Sequence, residues 1–151
     1  MSDLRALYQE LIIDHGRKPR NFGQLDNANH VKEGFNPLCG DKLTVYLIIN
    51  DNELIEDIRF EGCGCAISMA SASMMTQTLK GKTVAEAEAL FADFHSLVMG
   101  EKSDELKDRL GKLAVLGGVS EYPARVKCAS LAWHTVRASL QNETGVVCTE
   151  K

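Results

Sequence analysis

The sequence predicts an α+β domain in which helices cover one face of a small antiparallel β-sheet. Three observations carry that expectation. The runs Thr44–Ile49 and Leu54–Phe60 are rich in β-branched and aromatic residues and flank the turn material Asn50-Asp51-Asn52, which reads as a hairpin. Beyond residue 65, apolar residues recur at helical spacing for most of the remaining chain. Strands early and helices late segregate the two kinds of element instead of alternating them. The 151 residues suit one domain, 1–151, with its own core.

Leu4, Leu7, Tyr8, Leu11 and Ile12 recur at helical spacing after Ser2, a candidate N-cap, and predict an amphipathic first helix ending at Gly16. A loop with Pro19, Asn21 and Gly23 leads to a short strand expected at His30–Glu33. The segment NPLCGD then turns the chain into the hairpin, in whose second strand Leu54, Ile58 and Phe60 share a face. Cys65 to Leu79 is rich in Ala, Ser and Met, small or pliant side chains that let a helix lie close to a sheet; Gly81 ends it. Thr83 is placed to cap the next helix, with Val84, Ala87, Leu90, Phe91 and Phe94 on one face. The charged stretch Glu101–Leu110 reads as a short surface helix, Gly117-Gly118 as a flexible break, and Ala124–Leu140 as a closing helix started by Pro123. Residues 141–151 lack periodicity and are expected to fray.

Composition excludes several function classes. A net charge of −4 offers no general attraction to nucleic acid or to anionic membrane, and neither is an expected partner. The N-terminal segment interleaves charges with its apolar residues, so it does not read as a secretory leader, and no apolar run is long enough to span a bilayer. The cytoplasm is the expected compartment. Five cysteines, an odd number, then read as reduced thiols available for metal or sulfur chemistry, not as a disulfide framework.

Three of those cysteines and one aspartate form the candidate site: Cys39 and Asp41 in NPLCGD, Cys65 in GCGCAIS, and Cys128 in PARVKCASLAW. Isolated cysteines also serve as small buried hydrophobes, and the spacing is not that of a zinc ribbon. The local settings favour ligands. Cys39 and Asp41 stand two apart across a glycine at a strand entry, where alternate side chains point the same way. Cys65 and Cys128 fall near predicted helix starts, where unpaired N–H groups and the helix dipole favour a thiolate. Thiolates with one carboxylate suit zinc in a site whose oxygen corner exchanges more easily than its sulfur corners.

The segments NPLCGD, FEGCGCAISMASASMM and KCASLAW, with the lead-in LGGV and YPARVK, resemble the SufU family of the IscU/NifU-like iron–sulfur cluster assembly proteins over nearly the whole chain. The resemblance implies that the family's ligand pattern falls on Cys39, Asp41, Cys65 and Cys128, that zinc is held there, and that sulfur is accepted from a SufS-like cysteine desulfurase for a downstream SUF cluster-assembly complex. Lys127 stands where IscU-type proteins carry a histidine, Tyr122–Lys127 replaces their chaperone-docking stretch, and the segment from about Ser96 to Gly117 resembles an insertion typical of SufU-type chains. Sulfur transfer is therefore the expected activity, with Cys39, in its Pro- and Gly-flanked loop, as the acceptor. The alternative is a scaffold that assembles a [2Fe–2S] cluster on the same ligands. Arg125, three residues before Cys128, is expected to face the partner. Cys63 is read as a partly buried spectator, Cys148 as a tail thiol, and His15, His30, His95 and His134 as surface or helix-side residues outside the ligand set.

Overall fold

The computed structural model describes residues 2–37, 40–101, 103–141 and 147–148, with side chains within 10–141. In chain order the elements are α1 (Ser2–Arg17), β1 (His30–Asn36), β2 (Asp41–Ile49), β3 (Ile55–Cys63), α2 (Ala66–Leu79), α3 (Val84–Val98), α4 (Asp104–Leu110), a 3₁₀ segment (Gly111–Glu121), α5 (Pro123–Leu140) and β4 (Val147–Cys148). β1, β2 and β3 form an antiparallel meander, and helices pack against it, as expected. At Gly34 and Phe35 the outer edge of β1 takes up Val147 and Cys148 in parallel, so this pair belongs to the sheet, unlike the frayed tail expected there.

Strand alternation sets the core. Asp41, Leu43, Val45 and Leu47 of β2 point to the buried face, joined by Ile58 and Phe60 of β3. On the opposite face the Tyr46 hydroxyl donates to the Glu61 carboxylate, which pushes the Tyr46 pKa up to about 12. The row predicted for β3 shifts at its start. Ile49 pairs with Ile55 but Ile48 with Asp57, an extra residue that reverses the alternation, so Ile55 is fully buried where Leu54 was expected. Asn50 supports this corner by accepting the N–H groups of Asn52 and Leu54 on its side-chain oxygen.

α2 is the central helix, and Ser71 and Ser73 stitch it to its neighbours. Ser71 donates to the Ala129 carbonyl at 2.6 Å and accepts from the Trp133 indole at 3.2 Å, tying α2 to α5 while Trp133 stacks on Phe94 of α3. A methyl group at Gly34 would stand 2.1 Å from Thr135 Oγ1, so α5 lies directly on β1 because residue 34 has no side chain. Thr83 and Glu86 form the reciprocal cap predicted for α3. Gly117-Gly118, expected as a flexible break, lie inside the continuous 3₁₀ segment; a Cβ on Gly117 would come within 3.1 Å of Leu97, so this glycine serves close packing. Among the described residues no helix is long and apolar enough to cross a membrane.

His15, expected as a surface or helix-side residue, lies on α1 and is buried, with Nδ1 2.7 Å from the Ser73 hydroxyl, which also accepts the Arg20 N–H. Burial first, then the Arg20 charge, holds its pKa below the ordinary histidine value. The unfolded chain therefore takes up a proton first as pH falls through about 6.5, and stability present above that pH is lost as it drops toward the folded-state pKa. His15→Gln is expected to flatten the fall in melting temperature between about pH 7 and pH 5.5. Equal slopes for wild type and variant would remove His15 as the source.

Candidate metal centre

The centre forms where the N-terminal ends of two helices meet the end of the β1–β2 hairpin. Asp41 heads the core-facing row of β2 and is fully buried. Its Oδ1 accepts the Cys65 N–H at 2.8 Å, an approach that leaves only 2.6 Å to a Cβ built on Gly64, so residue 64 has room for no side chain. Cys65 is the N-cap of α2 and its Sγ accepts the Ser68 N–H at 3.4 Å. Cys128, in the second turn of α5, is buried. The ligand atoms of Asp41, Cys65 and Cys128 all lie within 4.8 Å of one another. Three of the four predicted ligands are thus brought together from three elements; Cys39 lies outside the described residues, next to Gly40, whose φ of +72° marks the turn.

Sequence reasoning missed Asn36. It is fully buried, and its Nδ2 donates to Asp41 Oδ2 at 3.1 Å and to Cys128 Sγ at 3.5 Å. An asparagine before proline reads as turn chemistry, and only the register, which sets Asn36 directly opposite Asp41, hints otherwise. Ser68 was missed too: its hydroxyl is buried without a hydrogen-bond partner among the described residues, one turn before Ser71 on the α2 face toward α5.

Other expected bystanders fall outside the cluster. Cys63 is exposed, not partly buried, because it ends β3 opposite exposed Lys42, on the side of the sheet away from Ile58 and Phe60. None of the histidines belongs to the described cluster; His134 lies against Phe91 and His95, where burial lowers its pKa. Arg125 is exposed, with its guanidinium 4.5 Å over the Tyr122 ring.

The donor set fits a cation that prefers sulfur. A buried carboxylate is costly without a counter-charge, and Asp41 makes no ion pair among the described residues, while two cysteines converge on it. Thiolate-rich, oxygen-containing sites of this kind suit zinc or an iron–sulfur cluster.

The family model of the NifU-like N-terminal domain matches residues 7–129, a span that takes in Asn36, Asp41, Cys65 and Cys128. The chain belongs to that family. This NifU-like domain is 42% identical over 144 residues to the zinc-dependent sulfurtransferase SufU of Bacillus subtilis (strain 168), covering 95% of this chain and 96% of that one. It is 40% identical over 141 residues to the iron–sulfur cluster assembly scaffold protein IscU of Streptococcus pyogenes serotype M1, covering 93% and 87%. Among solved structures, a candidate iron–sulfur cluster assembly scaffold protein for the SUF system from Fervidobacterium islandicum AW-1 matches with a TM-score of 0.81 and 37% identity, over 89% of this chain and 97% of that one. The resemblance and the IscU/SufU-like fold expected from the motifs agree with these matches.

Proposed function

We propose that this NifU-like domain is a zinc-dependent sulfurtransferase of iron–sulfur cluster assembly, which accepts persulfide sulfur from a cysteine desulfurase on Cys39 and passes it to a downstream SUF cluster-building complex. The observation that carries the reading is the buried Asp41–Cys65–Cys128 cluster at the end of the hairpin whose loop bears Cys39, in a chain similar over nearly its whole length to a sulfurtransferase of that description. Cys39, Asp41, Cys65 and Cys128 would hold the zinc. When bound, zinc supplies positive charge that keeps thiols deprotonated at neutral pH.

The rest of the chemistry belongs to the chain. The Cys39 thiolate attacks the terminal sulfur of the desulfurase persulfide; a new S–S bond forms on Cys39, the old one breaks, and the desulfurase cysteine departs as thiolate. Cys39 then carries the transferred sulfur as a persulfide. In the sequence it stands between Pro37 and Gly40, whereas Cys65 and Cys128 sit at the N-cap of α2 and within α5, helices packed on the core. Arg125, exposed three residues before Cys128, would meet a carboxylate of the desulfurase at the rim.

Cys39→Ser is expected to abolish uptake of labelled sulfur from the desulfurase while Cys63→Ser leaves it near the wild-type rate. Wild-type uptake by Cys39→Ser would defeat the assignment. The scaffold reading has its own support in the comparable identity to the Streptococcus pyogenes IscU. A [2Fe–2S] cluster that forms anaerobically on the protein and passes intact to an acceptor would put it first.

A further inference from the structure

We propose that Asn36 is a positioning residue of the metal centre: its side-chain amide holds the Asp41 carboxylate and the Cys128 thiolate in one fixed arrangement by giving an N–H to each. The proposal rests on the reading of the centre as a zinc site.

Register explains why residue 36 can do this. Asn36 and Asp41 form the last rung of the β1–β2 ladder, and both side chains face the core. Along the same strand, Gly34 lies against Leu131 and Thr135 of α5, and two residues further along β1 the next core-facing position meets Cys128, about one helical turn earlier in α5. Residue 36 is therefore where strand, helix and hairpin rung converge.

Chemistry explains why an asparagine stands there. Asp41 and the cysteines are anionic when they bind a metal, and a buried anion is stable only among donors. Such donors here include the Cys65 N–H to Asp41 Oδ1, the Ser68 N–H to Cys65 Sγ, and the Asn36 amide to Asp41 Oδ2 and Cys128 Sγ. Asn36 thus serves two anions from one neutral group. Leucine in its place would bury both acceptors without it, aspartate would add another negative charge, and histidine would compete for the metal. With Oδ1 held by Cys65 and Oδ2 by Asn36, the carboxylate cannot rotate, so its free lone pairs keep a fixed direction.

The experiment compares Asn36→Leu and Asn36→Ser with wild type in the full chain, measuring zinc affinity by chelator competition and the visible absorption of the cobalt(II)-loaded protein. A packing role would favour leucine, close to asparagine in bulk; a donor role favours serine, which keeps one O–H. Zinc affinity is expected to fall by about tenfold or more in Asn36→Leu and by less in Asn36→Ser. The cobalt–thiolate absorption of Asn36→Leu should change as well. A folded Asn36→Leu with wild-type affinity and spectrum, or one that outranks Asn36→Ser, overturns the proposal and leaves the zinc reading intact. Wild-type protein with no zinc affinity and no cobalt–thiolate absorption removes the zinc reading and this proposal together. Loss of the folded state in both variants, seen by far-ultraviolet circular dichroism, makes Asn36 a residue of the fold alone and also overturns it.

Discussion

Stripping zinc from the loaded protein is expected to lower its melting temperature by about 10 °C. A ligand that binds only the folded state adds about 4 kcal/mol at a free concentration a thousandfold above its dissociation constant, and a chain of this size shifts by about 2–4 °C per kcal/mol. The site exists only in the folded chain, because Asp41, Cys65 and Cys128 come from three elements. Without the cation, the buried Asp41 carboxylate faces two thiols with no cation paired to it among the described residues. Near-ultraviolet circular dichroism follows the transition through Trp133, stacked on Phe94 in the core. An unchanged melt after verified metal removal would refute the coupling.

Asp41→Cys is expected to move affinity and activity in opposite directions. A fourth thiolate binds zinc more tightly than a carboxylate, but it also closes the softer, more exchangeable corner of the set. Zinc affinity should therefore rise while sulfur uptake by Cys39 slows, each by about tenfold or more, the scale on which ligand-environment changes act. Chelator competition and labelled-sulfur uptake on the same preparation separate the two effects. Uptake at or above the wild-type rate would show that the oxygen corner is not what keeps Cys39 available.

Periodicity makes most elements legible in the sequence, since α1, the hairpin, α2 and the Thr83-capped α3 each carry a local signal. Failures came where local pattern and packing part company. The irregular pairing beside Ile49 exchanged Leu54 for Ile55 in the core, and the glycines at 117 and 118 signalled freedom where one of them serves contact with Leu97. His15 looked like a helix-side residue because its partner, Ser73, lies on another helix. At the centre, Asp41, Cys65 and Cys128 were readable because thiols near helix starts and a carboxylate at a strand entry are uncommon core fillers. Asn36 was not, for its role lies in a bond to a residue far along the chain.

That separation has a consequence for the order in which the centre can come into being. Asn36 and Asp41 are 5 residues apart, Asp41 and Cys65 are 24 apart, but Asn36 and Cys128 are 92 apart. Short loops close early and at little entropic cost, whereas contacts of long range wait for most of the topology. During synthesis the hairpin rung and the Cys65 bond become available first, and the cluster is completed only after α5 has emerged and packed across β1. A fragment stopped before residue 128 carries the Asp41 carboxylate and the Cys65 thiol without Cys128, so the cluster is complete only once α5 is in place.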